Sequence, residues 1–224
     1  MKLQWEGYNK SFKQENNIPD DYIAYWKFNG NTIDETGDHN ATNHGAVLTT
    51  DRFGNTDRAY YFDGSTKYMV LDNRFDSSVK NMTLSVWAYI QDEVSAPWST
   101  KDILRQEGKF YCRVKHRGEA MSFTVDTPSS SSNWDPHFVT TLKKWYHFVY
   151  SYDGSQMKIY IDNVLEFTNN RTGDMNDNNS LCVIGRAVNA NNEHWEGKLA
   201  DMRFYDRALT LEEIDSLYNE SNPI

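Results

Sequence analysis

Short apolar and aromatic runs, each ended by turn-forming residues, limit the folds open to this chain more than any other feature. The run MTLSVWAYI at 82–90 alternates, which places its leucine, valine and alanine on one face of a strand. Residues 145–161 are typical of two strands joined near Asp153-Gly154, a pair that favours a tight hairpin turn. Because almost no helical period occurs before Thr210, the pattern predicts one all-β sandwich and not a βαβ fold.

Turn residues divide the rest of the chain into further strands. The predicted strands are at 22–28, 59–62, 68–71, 82–90, 102–106, 109–116, 120–126, 145–152, 157–161, 165–168 and 181–185. Residues 29–45 are rich in Asn, Asp, Gly and Thr and are predicted to form a long polar loop. Residues 1–20 show no sustained period, so we expect a linker or tail there and a folded domain at 21–220.

Charge and hydropathy exclude some classes of partner. The net charge of −9 leaves no basic stripe for a phosphate backbone, so we expect no nucleic acid partner. No apolar run approaches the roughly 20 residues needed to span a bilayer, so we expect no membrane insertion. A signal peptide is absent from residues 1–20 of this chain, and we expect a protein that acts extracellularly, on a cell surface or on a virion.

The two cysteines both occur in strand-like runs. Cys112 and Cys182 form a disulfide if their strands are neighbours, and are buried free thiols otherwise. The second interpretation is favoured slightly.

The segment GKLADMRFYDRALTLEEIDSLY at 197–218 predicts a buried strand, a sharp bend and one short helix. Asp201 interrupts the apolar strand with a carboxylate that needs a compensating partner. Thr210 and Glu213 match a capping box, and the residues on either side of it, Leu209 and Ile214, are spaced as a hydrophobic staple.

Five segments in a fixed order indicate a family. They are AYWKFNGNTIDETGDHNATNHGA at 24–46, TTDRFGNTDRAYYFDG at 49–64, MTLSVWAYI at 82–90, KKWYHFVYSYDGSQMKIYIDNVLEF at 143–167, and IGR with EGKLADMRFYDRALTLEEI between 184 and 214. With them the chain resembles the laminin-G-like, concanavalin A-like jelly-roll family in its bacterial and phage three-motif form. The usual Asp-Gly of the second hairpin is Asp162-Asn163 here. The resemblance implies two antiparallel sheets, one convex and one concave, with a structural Ca²⁺ near the chain ends and a ligand bound by loops or by the concave face.

Oxygen-bearing residues are candidates for that calcium site, because Ca²⁺ takes six to eight oxygen ligands. In the fold that the resemblance implies, the strands that carry these residues lie close together. We expect Asn29, Asp34, Asp63 and Asp201 to bind the ion. The alternative is that Asp34 and Asp63 form Asx turns while Asp201 pairs with an arginine, either Arg203 or Arg52.

Tryptophans in polar surroundings are candidates for sugar stacking. The predicted ligand residues are Trp98, Trp134, His137, His194 and Trp195. The alternative, favoured slightly for Trp195, is that these rings pack their own segments onto the sandwich. Three further tryptophans lie inside predicted strands and are expected in the core: Trp26, Trp87 and Trp145.

Catalytic motifs are missing from the sequence. The superfamily contains glycanases, whose paired carboxylates come from an E-x-D-x-x-E strand, and no such run occurs here. We therefore expect a calcium-stabilised, non-catalytic carbohydrate-binding module that acts in surface recognition or adhesion. Its partner would be a glycan or polysaccharide. A protein-binding adhesion domain or a structural domain without a glycan ligand is the alternative.

Overall fold

Fourteen strands and one short helix make up the described part of the protein. The computed structural model describes residues 17–91, 100–115, 120–129, 141–188 and 193–221. The strands are β1 (Ala24–Trp26), β2 (Ala41–His44), β3 (Val47–Thr49), β4 (Ala59–Asp63), β5 (Tyr68–Leu71), β6 (Met82–Ile90), β7 (Thr100–Gln106), β8 (Phe110–Lys115), β9 (Ala120–Val125), β10 (Trp145–Tyr152), β11 (Gln156–Ile161), β12 (Val164–Asn170), β13 (Cys182–Ile184) and β14 (Glu196–Tyr205). The helix is α1 (Leu211–Tyr218).

The strands form two antiparallel sheets that face each other. The eight-stranded sheet has the order β12-β11-β10-β6-β14-β4-β3, with β1 paired to β14. The six-stranded sheet has the order β2-β5-β13-β7-β8-β9. This confirms the predicted all-β jelly-roll sandwich with one short C-terminal helix.

Alternation along the central strands builds the core between the sheets. In β6 the side chains of Leu84, Val86 and Ala88 are fully buried, as their period of two predicts. Phe148 and Tyr150 of the neighbouring β10 join the same core. Burying such a side chain fully contributes roughly 1.5–3 kcal/mol, so these central strands fix the register of the eight-stranded sheet.

The outer face of the eight-stranded sheet is partly covered by α1. Ile214 and Leu217 of the helix form a second apolar cluster with Val149 and Tyr205 of the sheet. The capping box is confirmed: the Thr210 hydroxyl accepts from the Glu213 amide, and the Glu213 carboxylate accepts from the Thr210 amide. Leu209 belongs to the same cluster, as a hydrophobic staple requires.

The polar region 29–45 differs from its prediction as one long loop. Its last residues form β2, which pairs with β5, and the neighbouring strand β3 pairs with β4. Both strands lie at the edges of their sheets, and three of the four residues in β2 are exposed. An edge strand needs little apolar surface, so neither strand gives a strong sequence signal.

Both cysteines are free and buried, which is the interpretation that the sequence favoured. Cys112 lies on β8 and Cys182 on β13, and these strands are separated by β7.

Residues just before the predicted domain start at residue 21 contact the eight-stranded sheet and the helix. Ile18 packs against the cluster under α1, and the Tyr205 hydroxyl donates to the carbonyl of Pro19 over 3.1 Å. Residues 1–16 lie outside the described part of the chain.

Candidate ligand-binding surface

An open groove beside α1, with a volume of about 530 Å³, is the candidate binding site. It lies on the outer face of the eight-stranded sheet, where β6 and β10 meet the end of the helix. Aromatic and polar side chains line it together: Phe53, Trp87, Trp145, Tyr218, Arg52, Asn219 and Glu220. Flat apolar rings next to hydrogen-bonding groups are the combination that a sugar requires.

Trp87 lies at the centre of the groove's aromatic cluster. Its ring stacks with that of Tyr218 from α1 at a centroid distance of 5.8 Å and an angle of 15°. The Arg52 guanidinium lies over the indole at 4.2 Å, and the His147 ring lies 5.1 Å away. Trp145 makes an edge contact with Tyr89 at 5.6 Å.

This position corrects the expectation that Trp87 and Trp145 are core residues. The two rings are half-buried and face away from the core, because the inward positions of β6 belong to Leu84, Val86 and Ala88. The β6 alternation already places Trp87 and Tyr89 opposite the apolar face, which is the signal that identifies them. Arg52 and Tyr218 reach the groove through tertiary contacts, so no sequence pattern identifies them as groove residues.

One wall of the groove is held by a buried network of charges. Arg52 donates through Nη1 to Asp201 over 3.2 Å and through Nη2 to the carbonyl of Glu220 over 3.2 Å. Arg203 binds both carboxylate oxygens of Glu220, at 2.7 and 2.9 Å, and lies 3.2 Å from Asp201. The Tyr25 hydroxyl donates to Asp201 over 2.7 Å. The network therefore joins β1 and β14 to Glu220, two residues beyond the end of α1.

A β-bulge in β14 explains how a strand carboxylate reaches these partners. The register with β6 shifts between Ala200 and Arg203, and Asp201 there has a positive φ of 52°. Aspartate adopts this left-handed conformation more readily than bulkier residues do. Burial opposes ionisation of Asp201, but the charges of Arg203 and Arg52 outweigh it and lower the pKa of its carboxyl.

Hydrogen-bond donors already contact the carboxylates among the predicted calcium ligands. Asp34 accepts from the Tyr25 and His39 amides over 2.6 and 3.1 Å and also from the Thr36 hydroxyl. These donors occupy both of its oxygens, and Asp201 is bound by two arginines and a tyrosine. Calcium needs carboxylate oxygens whose lone pairs are free, and it is repelled by a guanidinium at the same distance.

Asp63 and Asn29 likewise give no support to the predicted site. Asp63 accepts from the amides of Ser65, Thr66 and Lys67 over 2.8–3.1 Å, which is an Asx-type turn. Asn29 is exposed, and its carbonyl accepts from Asn31. Within the described ranges, no three His, Cys, Asp or Glu side chains come together as a metal set. The contacts of these residues are those of the turn and ion-pair alternative, and calcium binding by them stays a prediction.

The ligand residues predicted around tryptophans are buried where they are described. Trp195 is 1% exposed and His194 is 5% exposed, so neither ring presents a face to a sugar. Trp195 belongs to the main core, which is the packing alternative that the sequence favoured slightly. Trp98, Trp134 and His137 lie outside the described residues.

The outer face of the six-stranded sheet carries a second set of charged groups. Arg105 binds the carboxylates of Asp102, Glu193 and Glu107 at 3.0, 2.6 and 2.6 Å. Asp102 is fully buried, and this burial raises the pKa of its carboxyl to about 6 although Arg105 acts in the opposite direction. Since one guanidinium bridges three carboxylates, the set has the character of a structural ion-pair network.

Two antiparallel sheets stacked face to face define the class of this protein as a jelly-roll domain. The profile of the concanavalin A-like lectin/glucanases superfamily matches residues 62–215, which is more than half of the chain. The chain belongs to that superfamily. Among curated protein sequences no relative matches it.

Solved structures share the fold at low sequence identity. Domain 4 of AbnA, an extracellular GH43 arabinanase from Geobacillus stearothermophilus, in complex with arabinotriose, is 18% identical with a TM-score of 0.67, and the match covers 88% of this chain and 98% of that one. The binding domain of botulinum neurotoxin DC in complex with SialylT is 14% identical with a TM-score of 0.68. The same neurotoxin domain in complex with rat synaptotagmin II is also 14% identical, with a TM-score of 0.67. Both neurotoxin matches cover 89% of this chain but only 51% of the toxin chains.

Among the described residues, the helix is too short and too polar to cross a bilayer.

Proposed function

We propose that this protein is a non-catalytic carbohydrate-binding module that holds a glycan in the groove beside α1. The observation that carries the proposal is the groove itself, in which Trp87, Trp145 and Tyr218 present half-buried rings beside Arg52 and Glu220. Sugar rings have an apolar face that stacks on an aromatic ring and hydroxyls that need nearby polar groups. The arabinotriose complex of AbnA domain 4 supports a saccharide ligand on this fold.

The absence of catalysis is part of the proposal. Retaining glycosidases need two accessible carboxylates about 5–5.5 Å apart. The carboxylates on the outer face of the six-stranded sheet, Asp102, Glu107 and Glu193, are all bound by Arg105 instead. Incubation with polysaccharides should therefore release no reducing ends, and release that Asp102→Asn abolishes would contradict this part of the proposal.

A glycan array followed by calorimetric titration tests the binding function. We expect Trp145→Ala to lower the affinity for the glycan by at least about 30-fold, as is usual for a tryptophan at the centre of an interface. Leu181→Ala is the matched control, because Leu181 is 54% exposed and directly precedes β13 of the six-stranded sheet, whereas the groove lies on the eight-stranded sheet. A silent array, or a Trp145→Ala variant that binds as the native chain does, would overturn the proposal in favour of a protein-binding domain.

The same titration tests the residues predicted from the sequence alone. Trp98, Trp134 and His137 remain proposed ligand residues. Alanine variants of these residues that lower affinity would add their segments to the site.

We further propose that the module acts outside the cell in surface recognition or adhesion. The support is that AbnA, whose domain 4 shares the fold, is an extracellular enzyme. Two measurements test this location. The protein should be detected in the culture medium or on the surface of its source cells, and mild proteolysis of intact cells should remove the surface-bound protein.

A further inference from the structure

A line of side chains continues from the groove across the eight-stranded sheet. Trp145 of β10 is the register partner of Tyr89 in β6, and Tyr89 is the partner of Lys198 in β14. Lys198 in turn is the partner of Tyr61 in β4, and Tyr61 is the partner of Val47 in β3. We call these five residues the cross-strand row.

Every member of the cross-strand row points away from the core. The inward positions beside them belong to core residues such as Ala88 and Phe62. Trp145, Tyr89, Lys198 and Tyr61 are half-buried, and Val47 is 52% exposed. The row therefore offers one side chain per strand along the outer surface.

Lys198 supplies a polar group between the aromatic rings. Its ammonium lies 5.2 Å from the Tyr89 ring centroid and donates to the Thr50 hydroxyl over 3.2 Å. Over the ranges that the structure describes, no carboxylate pairs with it, and an ammonium has three donors. Lys198 can thus donate to a ligand oxygen while its neighbours, Tyr89 and Tyr61, stack.

The spacing of the row matches a polymer better than a single sugar. Neighbouring strands lie about 4.8 Å apart, which is close to the length that one sugar adds to an extended chain. Five strands span about 19 Å at this spacing. At the β3 end the row reaches the edge of the sheet, so a longer chain can continue past that end.

Resting on the proposed glycan function, we propose that the cross-strand row binds an internal segment of an extended polysaccharide, one sugar per strand. The groove at Trp145 holds one end of the segment. Tyr89 and Tyr61 stack on alternate sugars, and Lys198 donates to a hydroxyl or carboxylate oxygen of the sugar between them. The ligand class is a linear polysaccharide of at least four consecutive sugars, as opposed to a terminal monosaccharide.

Chain-length dependence tests this inference. Cello-, xylo-, arabino- and galacturono-oligosaccharides of one to six sugars are titrated into the full chain by calorimetry. For the series that binds, we expect affinity to rise at least about tenfold from the disaccharide to the pentasaccharide and then to level off. Tyr61→Ala should remove most of this gain, Tyr61→Phe should keep it, and Leu181→Ala, on the other sheet, should have no effect.

The outcomes separate the two proposals. If a disaccharide binds as tightly as a hexasaccharide and binding depends on Trp145, the glycan function stands and the cross-strand row is overturned. A pentasaccharide affinity unchanged by Tyr61→Ala, in a variant with native melting temperature, overturns the row as well. If no series binds, the glycan function fails, and the row fails with it.

Discussion

At Asp201 one carboxylate lies between two guanidinium groups, and burial prevents water from replacing any partner. We expect Asp201→Asn to lower the free energy of unfolding by about 3–5 kcal/mol, because Arg52 and Arg203 would remain buried without their shared anion. Urea denaturation at pH 7 measures the difference.

Asp174→Asn is the control for this change. Asp174 pairs with Lys80 over 3.5 Å, but its side chain is 70% exposed, so we expect a loss of only about 0–1 kcal/mol. If the two variants lose the same free energy of unfolding, burial does not strengthen the contribution of the Asp201 ion pairs to stability.

His147 should make the free energy of unfolding depend on pH. The ring is 1% exposed and its Nε2 lies 2.8 Å from the Ser85 hydroxyl oxygen, and burial lowers the pKa of the imidazole to about 3. The unfolded chain binds a proton near pH 6.5, so the stability from neutral His147 is complete above that pH and is lost as the pH falls. The advantage of the native chain over His147→Gln should shrink by about 2 kcal/mol between pH 6.5 and pH 5. A constant difference across these urea titrations would contradict this burial effect.

Asp102 should act in the opposite direction over an overlapping range. Burial raises the pKa of its carboxyl to about 6, so the folded state holds a proton that the unfolded state releases near pH 4. Stability from this residue is therefore lost as the pH rises from about 4 to 6. Relative to Asp102→Asn, the native chain should lose about 2 kcal/mol between pH 4.5 and pH 6 in the same urea assay. A difference that is flat, or that grows with pH, would show that Asp102 is ionised throughout.

At the scale of elements, the sequence predicts strands well where one face is apolar. The predicted bounds of β5, β6 and β10 are those observed, because their alternation and turn residues agree. β2 and β3 are missed, since edge strands such as ATNH carry little apolar signal. The bulge at Asp201 is also invisible in the sequence, because nothing in LADMR shows that one residue there adopts a positive φ.

The helix α1 matters beyond its length, because Tyr218 at its end and Glu220 beyond it line the groove. Thr210→Ala should lower the free energy of unfolding by about 1 kcal/mol, since the Glu213 amide loses the side chain that caps it. Thr172→Ala, at an exposed residue outside any strand or helix, is the control and should change little. Denaturation curves that coincide for the two variants would show that the capping box adds nothing to stability.

At the scale of the molecule, the site depends on how separate parts of the chain meet. The sequence predicts the sandwich, but the groove exists only because α1 docks onto the outer face of the eight-stranded sheet. That docking brings Tyr218 onto Trp87, while the segment before β4 brings Arg52 to the same ring. Residue patterns within one strand cannot report such contacts, although the alternation of β6 does place Trp87 on the face opposite the core.

Calcium binding would change the stability of the whole domain. It stays a prediction from the sequence, and the melting temperature with and without calcium tests it. The charge network at Asp201 already connects β1 and β14 to Glu220 beyond α1. The predicted ion would connect the same ends of the chain. Because hydrogen-bond donors already contact Asp34, Asp63 and Asp201, we expect EDTA and millimolar CaCl₂ to give the same melting temperature. A bound ion would instead stabilise by RT ln(1 + [L]/Kd), about 2.7 kcal/mol at a hundredfold excess over Kd. If the native chain melts at a lower temperature in EDTA than in calcium, and Asp201→Asn removes this difference, calcium displaces the arginines from Asp201.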